Sequence, residues 1–112
     1  MRNTLTALLF TALAAPLAAQ AASFDCAKAA GSDERAICAN RTLNDLDVQM
    51  ATKCQFLRGL FAMGARGAMQ DSQQAWLAKR QRCGGDTACL LKSYRTRIAE
   101  LDDIYRRIDK PL

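Results

Sequence analysis

An all-α fold is the class this sequence predicts: a small antiparallel bundle of three main helices plus a short N-terminal one, stapled by two disulfides. Three observations predict it. Apolar residues recur at three- and four-residue spacings through the last two thirds of the chain, with no alternating strand-like run. Gly-rich breaks and capping residues divide that pattern into segments of helical length. Cys26, Cys38, Cys83, Cys89 and a fifth cysteine, Cys54, follow an apolar leader, and in a small exported chain paired cysteines take over part of the work of a large core.

Residues 1–21 read as a secretory signal. Arg2 is the positive start, Leu5 to Ala15 carries no charge, Pro16 breaks the run, and Ala19-Gln20-Ala21 places small residues at −3 and −1 of a cleavage site. The apolar run is shorter than the roughly 20 residues of a comfortable membrane span, so no stable span is expected after cleavage. Lipid attachment at Cys26 fits less well, because bulky Phe24 and charged Asp25 precede it. The expected destination is the periplasm or the exterior, with residues 22–112 as one helical domain. A domain of that size buries only about 60–65% of its unfolded surface, which leaves its stability thin.

The element reading runs in order. Ser32 is placed to cap a short helix whose first turn holds Asp33 and Glu34, facing the positive end of the dipole. Asn40 caps a longer one, with Leu43, Leu46, Met50, Cys54, Leu57 and Phe61 on one face. Gly59, Gly64 and Gly67 weaken its end, which puts the turn at Gly64 to Gly67. A third helix is expected from Ala68 to Arg82, with Met69, Gln73, Trp76, Leu77, Arg80 and Cys83 on one side and Gly84 as its C-terminal cap. Asp86 caps a fourth, with Leu90, Tyr94, Ile98, Leu101, Tyr105 and Ile108 inward; Arg106, Arg107 and Lys110 suit its negative end, and Pro111 stops it. Short connections make neighbouring helices antiparallel.

Five cysteines with one left free allow about 15 arrangements. Cys83 and Cys89 flank the turn of a helical hairpin, within reach of the roughly 5.5 Å between Cα atoms that a disulfide needs. Cys26 with Cys38 would fasten an otherwise loose N-terminus. Cys54 lies in the apolar register, which fits a free thiol filling the core; the alternative is an intermolecular disulfide joining two chains. A monomer is the simpler expectation.

With these residues placed, the chain resembles the LprI-type lysozyme-inhibitor N-terminal domain, a family of small secreted bacterial proteins. The resemblance is carried by Phe24-Asp25-Cys26-Ala27-Lys28-Ala29, Glu34-Arg35-Ala36-Ile37-Cys38 and Leu46-Asp47; by Gln73-Gln74-Ala75-Trp76-Leu77 with Arg80 and Cys83; and by Cys89-Leu90, Tyr94, Arg97-Ile98 and Leu101. Two departures stand out: Cys54 sits where the family generally has an aromatic residue, and Arg58 to Gly67 is rich in glycine. The resemblance implies an exported helical domain with two internal disulfides and, for some members, inhibition of lysozyme. It supplies no residue-level inhibitory site.

The motif residues therefore have to be weighed by their chemistry. Trp76 suits the core, against the alternative of an exposed binding anchor. Gln73, Asp47 and Arg80 suit a half-buried polar network, with Arg80 paired to Asp47 or Asp25; the alternative is a polar cluster that a partner reads. Asp25 suits a cap on the turn before Cys26, and Glu34 suits the helix dipole.

Catalysis has little to stand on. The chain has no histidine, so neither a Ser-His nor a Cys-His pair can be assembled, and nothing brings Glu34 and Glu100 together as an acid–base couple. Without histidine or a Cys-x-x-Cys pair, zinc and thioredoxin-type chemistry are not expected, and no cofactor is. The expected function is binding: a partner such as lysozyme, another envelope protein or a glycan. Charge qualifies this. Residues 22–75 hold six basic and six acidic side chains, and residues 76–112 hold nine and five. A basic lysozyme would be repelled by the last third, leaving the neutral part to make contact. The excess at Lys79, Arg80, Arg82, Lys92, Arg95, Arg97, Arg106, Arg107 and Lys110 instead suits anionic envelope material or an acidic partner, or simply a solvated helix surface. Export makes nucleic acid an improbable ligand.

Overall fold

The computed structural model describes residues 22–108. The leader and its cleavage site, Lys110 and Pro111 lie outside that range. Four helices follow a short 3-10 turn at Cys26–Lys28: α1 (Ser32–Ala39), α2 (Arg41–Leu60), α3 (Met63–Arg82) and α4 (Thr87–Arg107). The fold is all-α, with no strand among the described residues. α2 and α4 form the main packed pair, α3 lies against both, and α1 bridges α2 and α3.

Local chemistry sets most of the boundaries. Asn40 accepts from the Leu43 amide at 3.1 Å and starts α2. Asp86 does the same for α4 through the Cys89 amide, also at 3.1 Å. α3 ends where Gly84 takes a φ of +55°, the left-handed conformation that glycine adopts without Cβ strain. One expected cap is displaced. Gly31, not Ser32, holds the cap position of α1, and no side chain caps that end. Ser32 is already helical.

A larger correction concerns the α2–α3 turn. It falls at Phe61 and Ala62, and Gly64 and Gly67 lie inside α3. Arg66 shows what competes with the glycine penalty there. Its amide donates to the Ala62 carbonyl at 2.9 Å, and its Nε donates to the Arg58 carbonyl at 3.1 Å, satisfying a C-terminal acceptor of α2. Both bonds need this segment helical, and Met69 is buried one turn further on.

The core comprises Ile37, Leu43, Met50, Cys54, Leu57, Met69, Trp76, Leu90, Tyr94, Ile98 and Leu101, with Ala22 at its edge. Leu46 and Phe61 pack partly against it. Tyr105, expected inward, is 40% exposed and lies against Phe56 with ring centroids 6.1 Å apart. Cys26–Cys38 ties the 3-10 turn to α1, and Cys83–Cys89 closes the α3–α4 hairpin, with Cα separations of 5.8 and 5.5 Å. Cys54 is a free thiol, only 4% exposed.

Candidate functional site: a buried charge cluster and a neighbouring groove

The polar motif residues separate into two groups. The first is built around Arg80 on α3, which is 4% exposed. Its Nε donates to Asp33 Oδ2 at 3.0 Å and its Nη1 to the Tyr94 hydroxyl at 3.3 Å, with Asp47 Oδ1 3.7 Å from Nη1. Tyr94 in turn donates to Asp47 Oδ1 at 2.7 Å, and the Ser23 amide donates to Asp47 Oδ2 at 2.6 Å. Every helix and the N-terminal lead-in contribute to this cluster.

Aromatic rings close it off from water. The Arg80 guanidinium carbon lies 5.7 Å from the Phe24 ring centroid and 5.8 Å from that of Trp76, positions that suit cation–π attraction. Trp76 meets Tyr94 edge to face at 5.1 Å, and its indole N–H donates to the Ser93 carbonyl at 3.2 Å. Burial raises the Tyr94 pKa above its ordinary 10.0, and the neighbouring Asp47 charge raises it further, against the opposing pull of Arg80. For Arg80, burial acts to lower the pKa, but Tyr94 and the Asp33 hydrogen bond outweigh it and the net shift is upward. The guanidinium therefore stays charged and the phenol neutral, as this hydrogen-bond pattern requires.

The second group centres on Arg97 of α4, 3% exposed. Its Nε donates to Gln73 Oε1 at 3.0 Å, and its Nη1 donates to Ser72 Oγ and Glu100 Oε2, each at 3.1 Å. Gln73 also points its Nε2 at the Met50 sulfur, 3.1 Å away. Beside this group a groove of about 400 Å³ runs between α3 and α4. Its walls include Ala75, Trp76 and both sulfur-bearing residues of the Cys83–Cys89 bridge, and Lys79 and Lys92 stand on it as exposed cations.

Several expectations are redistributed by this geometry. Arg80 pairs with Asp33 and Asp47 and not with Asp25, whose carboxylate instead caps the 3-10 turn through the Ala27 amide at 2.9 Å. Gln73 belongs with Arg97, apart from Asp47 and Arg80. Glu34 reaches back to the Ala30 amide at 3.1 Å. Arg80 and Arg97, counted among the basic excess, are interior residues, so among the described residues the exposed charge of that stretch comes from Lys79, Arg82, Lys92, Arg95, Arg106 and Arg107. Sequence reasoning missed Asp33 as a partner, because an acid in a first helical turn is already explained by the dipole. The Arg97–Glu100 pair was legible from its three-residue spacing.

Comparison with known proteins relates the chain to mycobacterial lipoproteins. The chain is 32% identical, over 107 aligned residues, to the lipoprotein LprI of Mycobacterium bovis and to that of Mycobacterium tuberculosis. The chain is similar to LprI. The alignment takes in 86% of this chain and 52% of each relative, so the chain spans about half the length of the curated relatives it matches. No family model matches, and no solved structure does.

Among the motif positions, Asp47, Arg80 and Tyr94 are buried and linked by hydrogen bonds and an ion pair, and Trp76 packs its ring against Tyr94 and Arg80. They hold the helices in register.

Proposed function

We propose that this chain is an exported cell-envelope binding module that inhibits lysozyme-type muramidases by occluding them, without chemistry of its own. The similarity to LprI across 86% of the chain carries the reading, together with the lysozyme inhibition that the sequence resemblance implies for some members. The contact face is the exposed side of α2 and the start of α3. Val48, Phe56 and Leu60 repeat at multiples of four along α2, and Met63 follows, with exposures of 39, 57, 47 and 87%. All four fall in the electrically neutral part of the chain, where a basic enzyme meets no net repulsion. Phe and Met are among the side chains enriched at the buried centre of protein interfaces. A lytic assay against several muramidase types tests this. Slowed lysis at micromolar protein, relieved by Phe56→Ala with Met63→Ala, is the expected result; undiminished lysis by every type overturns the reading.

A second reading is favoured by Lys79 and Lys92. Neither has an ion-pair partner among the described residues, and both stand on the α3–α4 groove. In this reading the module holds anionic envelope material through its basic last third. Salt-dependent retention on an anionic ligand, abolished by Lys92→Glu with Arg95→Glu, is its signature; retention unchanged by the reversal counts against it.

A further inference from the structure

We infer that the α3–α4 groove is a binding site for a single carboxylate or phosphate group, with the uncharged remainder of the ligand lying along Trp76 and the Cys83–Cys89 bridge. This rests on the second reading and gives it an address.

Three observations converge on the groove. The first is charge. Of the ionisable residues lining it, Arg97 and Glu100 neutralise each other at 3.1 Å, which leaves Lys79 and Lys92 uncompensated on opposite helices. The second is a preset donor. Arg97 Nη2 is buried and has no protein hydrogen-bond partner among the described residues, although the same guanidinium is fixed by Gln73, Ser72 and Glu100. A buried charged donor left without an acceptor is costly, and an anionic oxygen would supply what Nη2 lacks. The Glu100 side chain that holds Nη1 is 54% exposed, so it lies at the solvent edge of the groove.

The third is composition. The groove walls are largely carbon, from Ala75, Trp76 and the disulfide, with Ser72, Ser93 and Thr96 interspersed. Apolar walls carrying a few convergent polar groups are the usual make-up of a small-ligand site. Carbon walls lower the local dielectric and strengthen the pull of the two lysines on one anionic group. A planar carboxylate or a phosphate oxygen pair also matches the geometry of a guanidinium edge.

The test is a titration of the oxidised protein followed by amide NMR shifts, using N-acetylmuramic acid, inorganic phosphate and uncharged N-acetylglucosamine as probes. The expected result is saturable one-to-one binding of an anionic probe, with shifts gathered on Ser72–Lys79 and Lys92–Glu100. Lys79→Gln with Lys92→Gln, both on exposed residues, should weaken that binding at least tenfold while leaving the fold intact. Saturation by the acidic sugar alone identifies a carboxylate ligand, saturation by phosphate alone a phosphate one, and both identify a general anion site. N-acetylglucosamine binding as well as N-acetylmuramic acid, or no saturation by either anion, overturns the assignment. Retention on anionic material that survives the double lysine variant but needs Arg106 and Arg107 overturns the groove while leaving the second reading standing.

Discussion

Tyr94 and Asp47 are 47 residues apart in the chain and 2.7 Å apart in space, the phenol donating to Oδ1 of a carboxylate with no exposed surface. Because Tyr94 also accepts from Arg80, its hydroxyl ties α2, α3 and α4 together at one atom. Tyr94→Phe keeps the ring and removes that atom. The expected cost is about 1–3 kcal/mol, because Asp47 and Arg80 each lose a buried partner, read as a lowered denaturation midpoint in urea. The pH dependence follows from the raised pKa. The folded state holds the phenolic proton more tightly than the unfolded chain, so this stabilisation is complete below the unfolded value of 10.0 and is lost as pH climbs beyond it. Unfolding midpoints should fall above pH 10.0 in the parent protein and fall less steeply in Tyr94→Phe.

The two kinds of ion pair in this molecule should behave differently. Arg80→Ala leaves Asp33 and Asp47 buried without their cation, and about 3–5 kcal/mol of stability should go with it. Lys53 and Asp102 also pair, but their side chains are 34 and 45% exposed. Asp102→Asn should cost no more than about 1 kcal/mol. Denaturation curves of the two variants side by side decide the matter; equal losses would show that the cluster is not the lock described.

The Cys26–Cys38 bridge should matter beyond its loop. Closing 12 residues of separation is worth about 3 kcal/mol in unfolded-chain entropy. The bridge also anchors the stretch that lays Phe24 over Arg80 and brings the Ser23 amide to Asp47. Cys26→Ala with Cys38→Ala should therefore abolish hydrogen-exchange protection at Ser23 before the helices lose theirs. Simultaneous loss everywhere would mean the lead-in and the bundle open as one unit.

Gly64 and Gly67 sit in helical backbone with open space where a Cβ would project. Gly64→Ala and Gly67→Ala should each raise stability, by about 0.5–1 kcal/mol. A rise in thermal midpoint for both, with unchanged helical circular dichroism, is the expected outcome.

Cys54 should react only when the molecule opens. At 4% exposure inside α2 its thiol cannot reach a second chain, so non-reducing gels should show a monomer, and thiol reagents should label it at the rate of unfolding. Cys54→Ser places a hydroxyl in an apolar setting and should cost about 1–3 kcal/mol.

The bundle was legible in the sequence because its signals are local. Asn40, Gly84 and Asp86 act on neighbours three or four residues away, and the apolar spacing of Leu43, Met50, Cys54 and Leu57 names a face without needing its partner. The α2–α3 turn was not legible, since a glycine penalty near 1 kcal/mol is outweighed by bonds such as Arg66 to Arg58 that exist only once both helices do. The partners of Arg80 were hidden for a similar reason. Asp25, Asp33 and Asp47 are equivalent acids on paper, and three-dimensional packing alone separates a cap from two buried counter-ions. Nothing in the residue pattern announces that Arg97 has one nitrogen to spare.

Trp76 is the chain's one tryptophan, and its indole both contacts the Arg80 cluster and lines the α3–α4 groove. The molecule thus carries a single indole reporter in contact with both features. Its emission will register loosening of the Arg80 cluster and the arrival of a ligand in the groove, with no label added, and mixtures of the two events can be separated by repeating the measurement in Lys79→Gln with Lys92→Gln.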